Sequence, residues 1–92
     1  MKVLVKAFAT FRDVMDSQID MDLQDGATIL TLLDELTGQY KGLGEMMFDT
    51  SGTLRNFINI LRNGRNVHFL AGLHTPLKDG DVIALFPPLA GG

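Results

Sequence analysis

The chain reads as an α+β domain in which one amphipathic helix packs on a small mixed sheet. Three observations lead there. Two segments near the N-terminus alternate apolar and polar residues with the period of a strand. One segment only, Ile29 to Tyr40, repeats its apolar residues at helical spacing. Two short apolar runs follow, next to the turn pairs Asn63-Gly64 and Asp79-Gly80. A single helix can bury its stripe on one sheet face, so strands before and after it form an α+β layer pair.

Residues 2–9 (KVLVKAFA) form the first predicted strand, with Val3, Val5 and Ala7 inward and Lys2, Leu4, Lys6 and Phe8 on the opposite face. Residues 10–17 connect it to a second strand, 18–23, where Ile19, Met21 and Leu23 alternate with Asp20 and Asp22. Gln24-Asp25-Gly26 is a turn. Ile29, Leu32, Leu33, Leu36 and Tyr40 then mark a helix over about 28–40, with Thr28 as N-cap and an end near Lys41-Gly42. Residues 42–55 hold three glycines and no firm period, so a loop or short turn is expected, with Met46, Met47 and Phe48 tucked inward. Residues 56–62 (NFINILR) form a third strand, and Asn63-Gly64 is a strong hairpin signal. Residues 67–73 suit one helical turn. Asp79-Gly80 introduces the last strand, 82–86. The order ββαββ lets the first and last strands lie side by side and parallel, which is the β-grasp (ubiquitin-like) arrangement. Residues 1–86 are expected to form the domain and 87–92 a flexible tail.

With 92 residues the chain makes one domain with a modest core. It has no cysteine, which excludes disulfides, thiolate metal sites and a cysteine nucleophile. The net charge of −3 argues against nucleic acid as a partner and for a basic protein partner. No apolar run is long enough for a bilayer, and the first residues lack the pattern of a signal peptide, so a cytoplasmic location and no membrane partner are expected.

The sequence ends Phe86-Pro87-Pro88-Leu89-Ala90-Gly91-Gly92. Two prolines stiffen the exit from the last strand and block further pairing. Gly91 and Gly92 lack Cβ atoms, so this end can thread a slot too narrow for other residues. From Pro87 to Gly92 the reach is roughly 20 Å when extended. Such a tail suits insertion into another protein's active site, with the Gly92 carboxylate as its reactive group.

Elsewhere no reactive constellation stands out. His68 and His74 have no partner at metal-ligand spacing, and ordinary loop histidines are expected. Asp20 and Asp22 belong to a solvated strand face. Gly38, Gly42 and Gly44 do not form a phosphate loop. Ser17 and Ser51 lack a partner base. No metal site is expected.

Three stretches carry a resemblance. Residues 75–92 (TPLKDGDVIALFPPLAGG), 8–13 (FATFRD) and Asn63-Gly64-Arg65 are similar to motifs of the MoaD/ThiS sulfur-carrier family, which includes the molybdopterin synthase small subunit and the archaeal ubiquitin-like small modifiers. Asp13 stands where Glu is commoner, and 42–55 looks like an insertion of the archaeal members. The resemblance implies that a ubiquitin-activating-type adenylyltransferase uses ATP and Mg to adenylate Gly92, with Gly91 beside it. This chain then binds no cofactor and supplies no catalytic machinery, even as a molybdopterin synthase subunit. The adenylate has two fates: a thiocarboxylate that donates sulfur in molybdenum cofactor biosynthesis, or an isopeptide with target-protein lysines. The resemblance also puts Phe8, Leu70, Phe86, Pro87 and Pro88 at the binding surface for the activating enzyme or the molybdopterin synthase large subunit. A reading of another class is an adaptor domain whose Gly-Gly is incidental.

Overall fold

The computed structural model describes residues 1–88. Gly91 and Gly92, on which the expected chemistry falls, lie outside the described residues. Strand β1 (Lys2–Ala7) buries Val3, Val5 and Ala7 and turns Lys2, Leu4 and Lys6 the other way. Strand β2 (Gln18–Asp22) pairs with it antiparallel, Val3 opposite Met21 and Val5 opposite Ile19. The connection is more ordered than its sequence suggests. It contains a 3-10 turn, Ala9–Asp13, that drives Phe11 fully into the core.

Helix α1 (Ile29–Gln39) begins at Thr28, whose hydroxyl accepts a bond from the Thr31 N–H. Thr31 Oγ1 accepts in return from the Thr28 N–H, so two otherwise orphaned donors are satisfied. The helix buries Ile29, Leu32, Leu33 and Leu36 against the sheet. The segment expected to be a loop or short turn instead forms α2 (Leu43–Met47), which buries Leu43 and Met47. Gly42, at φ +91, turns the chain into it, a conformation that L side chains rarely adopt.

The third strand is shorter than 56–62. Strand β3 (Asn59–Arg62) starts only after Phe57, which sits at φ +68 with its side chain exposed. A bulky residue in the left-handed region cannot continue a pleated strand, and periodicity does not report φ. Asn63 (φ +50) and Gly64 (φ +84) make a tight hairpin into β4 (Arg65–Asn66), a strand too short to leave a periodic signal. Two 3-10 turns, Val67–Phe69 and Gly72–His74, fill the stretch expected to hold one helical turn. Strand β5 (Val82–Phe86) closes the fold.

The sheet order is β2-β1-β5-β3-β4. β1 and β5 are parallel neighbours at its centre, Val5 opposite Ile83 and Ala7 opposite Leu85. This is the α+β, β-grasp fold, with the small β4 as the fifth strand of the sheet. The core lies between the sheet and α1, and Val5, Phe11, Leu33, Ile83 and Leu85 in it are inaccessible to water.

Candidate functional site

The site grows from the end of β5. Strand alternation sends Ile83 and Leu85 inward, so Val82, Ala84 and Phe86 emerge on the outer face, half-buried. Register brings Lys6 and Leu61 beside Ala84, and Leu4 beside Val82. The Phe8 N–H donates to the Leu85 carbonyl at 3.1 Å, extending the β1–β5 ladder by one residue. That places the Phe8 ring flat on the Phe86 ring, with centroids 4.3 Å apart and planes within 10°. Such an offset pair contributes about 0.5–1.5 kcal/mol beyond its buried area.

Arg12 adds a third layer. Its guanidinium lies 5.3 Å from the Phe8 ring centre, and its Nε donates to the Ala7 carbonyl at 2.9 Å. The 3-10 turn Ala9–Asp13 that buries Phe11 also folds Arg12 back over Phe8. Cation, ring and ring are therefore stacked at the root of the chain's end. Pro87 is buried and Pro88 exposed.

Of the other predicted binding residues, Leu70 is half-buried and packs on the core from the loop after the turn Val67–Phe69. Phe8 and Phe86 meet, whereas Leu70 is held by a different contact. His68 and His74 are exposed, as are Asp20 and Asp22. Among the described residues no group of three or more His, Asp or Glu side chains could hold a metal ion. No helix of the described residues is long and apolar enough to cross a membrane.

β5 is aimed by a polar clamp at its other end. Asp81 is nearly buried. It accepts bonds from Arg62 Nε at 2.8 Å, Asn63 Nδ2 at 2.9 Å and the Lys78 N–H at 2.8 Å. Burial pushes its carboxyl up, but these three donors and the Arg62 charge outweigh it and hold the carboxyl below its ordinary value. Asn63 bonds Val82 twice, its N–H to the Val82 carbonyl and its Oδ1 from the Val82 N–H, each at 2.8 Å. Asp79 Oδ1 accepts from the Lys2 N–H at 2.7 Å, and the Gly80 N–H donates to the Lys2 carbonyl at 2.8 Å. The Asn-Gly-Arg and Asp-Gly-Asp turns are thus two halves of one lock that fixes β1, β3 and β5 together.

With that frame in place the comparisons are decisive. The model of the ThiS family matches residues 5–92. The chain belongs to the ThiS family. It is 39% identical over 93 residues to small archaeal modifier protein 3 of Haloferax volcanii, covering all of both chains. It is 38% identical over 69 residues to the sulfur carrier protein CysO of Mycobacterium tuberculosis, covering 73% of this chain and 74% of that one. The crystal structure of SAMP1 from Haloferax volcanii superposes with a TM-score of 0.89 at 34% identity, each chain covered completely. The chain is therefore a ubiquitin-like member of a family of sulfur carriers and small archaeal modifiers.

Two features of this region escaped the sequence reading. Arg12 belongs to the quoted motif 8–13, yet only the fold shows that it caps the aromatic stack. Asp81 looks like a turn residue in sequence, and nothing there marks it as the buried end of an ion pair.

Proposed function

We propose that this protein is a carrier activated at Gly92: a ubiquitin-activating-type enzyme converts the terminal carboxylate to an acyl-adenylate, releasing pyrophosphate from ATP. Attack by a persulfide then expels AMP, and cleavage of the resulting S–S bond by a thiol leaves a thiocarboxylate on Gly92. That sulfur goes to a small-molecule acceptor, with the molybdopterin precursor as the leading case. The observation that carries this reading is the Phe86-Pro87-Pro88-Leu89-Ala90-Gly91-Gly92 ending, rooted on the parallel central strand β5. The chain has no cysteine, so carried sulfur has no side-chain thiol to sit on. The stack of Arg12, Phe8 and Phe86 offers an apolar and cationic surface for the activating enzyme at the base of that ending.

A second reading is supported by one specific observation. The match to small archaeal modifier protein 3 runs the full length of both chains at 39% identity. In that reading a target lysine Nζ attacks the activated Gly92 carbonyl and an isopeptide forms. Both readings share the adenylate, and one experiment separates them. Protein isolated from its own cells without reducing agent is weighed intact, and cellular lysines are searched for the remnant of residues 79–92 that trypsin, cutting after Lys78, leaves on them. An oxygen-to-sulfur mass change on the free chain supports the carrier. Abundant lysine conjugates with no such change sink the carrier and leave the modifier. Neither signal leaves the adaptor reading.

A further inference from the structure

A second surface, built by the segment 54–73, plays no part in the chemistry proposed for Gly92. Its two aromatic residues, Phe57 and Phe69, are each 78% exposed and are the large apolar side chains most open to water in the described residues. Single exposed apolar residues are ordinary, but two flanking one depression are not. Both line an open groove of about 610 Å³ that also includes Arg55, Asn56, Asn59 and His68. Beside it, sharing Leu54, Ile58, Asn66 and His68, lies a smaller cleft of about 150 Å³ whose other walls are Ile60, Val67, Gly72 and Leu73. That cleft has the volume of one large aliphatic or aromatic side chain.

Phe57 is held there at a cost. At φ +68 it occupies the left-handed region, where a bulky side chain is an outlier. Strain of this kind costs about 1–3 kcal/mol and collects at binding sites. The exposed ring gains little burial in return. Phe69 is fixed differently: Asn66 Oδ1 caps its 3-10 turn by accepting from the His68 N–H at 2.9 Å, and the His68 ring meets Phe69 edge-on with centroids 5.3 Å apart. Two phenylalanines are thus presented to solvent in set positions.

Charge identifies the occupant. The chain is acidic overall, yet no Asp or Glu occurs between Asp49 and Asp79. That stretch carries Arg55, Arg62, Arg65 and Lys78, besides His68 and His74. Arg62 is consumed by Asp81, and Arg55 donates through Nε to the Glu45 carbonyl at 2.8 Å, with Asp49 near its charge. Arg65 and Lys78 are exposed. Carboxylates concentrate instead on β2 and its flanks, at Asp13, Asp16, Asp20, Asp22 and Asp25, on the opposite edge of the sheet. An approaching acidic segment is steered to the β4 edge and repelled from the β2 edge.

We infer that the groove between Phe57 and Phe69 docks an acidic segment of a partner protein, inserting one apolar side chain into the cleft beside it while its carboxylates face Arg55 and His68. A polynucleotide is the less favoured anion, because the small, mainly aliphatic cleft suits a side chain rather than a base.

Fluorescence anisotropy with the full chain tests this. The probe is a dye-labelled peptide with Leu-Phe at its centre and glutamates on both sides, set against the same peptide with lysines. The glutamate peptide is expected to bind, more weakly as salt rises, and the lysine peptide is not. Phe57→Ala and Phe69→Ala are each expected to lower affinity about tenfold, with circular dichroism unchanged. Equal binding of both peptides overturns the inference. So does no binding at millimolar peptide, or unchanged affinity in both variants. Tighter binding of an oligothymidylate, or concentration-dependent self-association of the chain alone, overturns it in favour of nucleic acid or a second copy.

Discussion

The two ends of β3 belong to regions built on different logic. At its C-terminal end, Arg62 and Asn63 lock onto Asp81 and Val82, and every strained position there is a turn residue, Asn63, Gly64 or Gly80, that tolerates positive φ. At its N-terminal end, Phe57 holds positive φ with no such tolerance and leaves its ring in water. The first region spends its polar groups on rigidity: it fixes β1, β3 and β5 to one another. The second accepts strain and exposure where stability alone would select against both. A buried carboxylate that takes three donors is the mark of a scaffold. A misfit aromatic beside an apolar cleft is the mark of a contact surface.

The largest effect expected on the tail side is all-or-none. Adding one alanine after Gly92 displaces the carboxylate from the ATP α-phosphate, and ATP–pyrophosphate exchange with the cognate activating enzyme is expected to vanish. The same extension should leave the groove untouched, so glutamate-peptide binding persists. Normal exchange by the extended chain would overturn the role given to Gly92.

The lock comes next. Asp81→Ala leaves Arg62 and Asn63 without their buried acceptor, and a loss of about 3 kcal/mol in urea unfolding is expected. The pH dependence has a definite sign. The Asp81 carboxyl is held below its ordinary value in the folded chain, so its stabilisation is fully present above the unfolded carboxylate pKa. It fades as pH falls through the lower folded pKa. Wild type should therefore lose stability with acid over that range more steeply than Asp81→Asn. Parallel acid profiles for the two would remove Asp81 from the lock.

How much of this was legible depended on whether the signal was local. β1, β2, α1 and β5 were readable because each is half-buried and long enough to show its period: Val3, Val5 and Ala7 at spacing two, Ile29, Leu32, Leu33 and Leu36 at helical spacing. Helix α2, with five residues, is about one turn and too short for a period to emerge. Phe11 and Leu43 looked like loop residues because their burial is imposed by distant packing. The start of β3 was misplaced because NFINILR is a short apolar-rich run ahead of a hairpin turn and suits a strand, while the left-handed turn at Phe57 leaves no mark in composition. On the site, Phe8 and Phe86 could be named from motifs. Their stacking, and Arg12 above them, needed the register of two strands that lie far apart in sequence.

A smaller effect sharpens the tail side. Phe86→Glu puts a carboxylate on the half-buried face of the stack, beside Phe8. Binding to the activating enzyme is expected to weaken by about 2 kcal/mol, the usual cost of losing an aromatic anchor. Arg12→Ala is expected to lose less, because the Phe8–Phe86 pair survives it. Titration calorimetry of the two variants checks the order, and wild-type affinity in Phe86→Glu would move the enzyme's contact elsewhere on the sheet.

The smallest expected effect is the one that separates the two regions most cleanly. Phe57→Gly removes a strained left-handed phenylalanine and an exposed ring that contributes almost no burial. Glycine adopts φ +68 freely, although it widens the unfolded ensemble. The balance favours the variant, by about 1 kcal/mol or less, since a left-handed residue with a Cβ costs roughly 1–2 kcal/mol. A substitution that stabilises the fold while weakening glutamate-peptide binding about tenfold means Phe57 is kept for contact rather than for folding. Glycine in a lock residue's place, as in Asn63→Gly, should do the opposite: it tolerates the positive φ yet loses the side-chain bonds to Asp81 and Val82, so stability falls. Thermal unfolding of the two variants side by side reads both signs. If Phe57→Gly unfolds earlier than wild type, the ring is packed in solution, and the contrast between scaffold and contact surface fails at the residue that defines it.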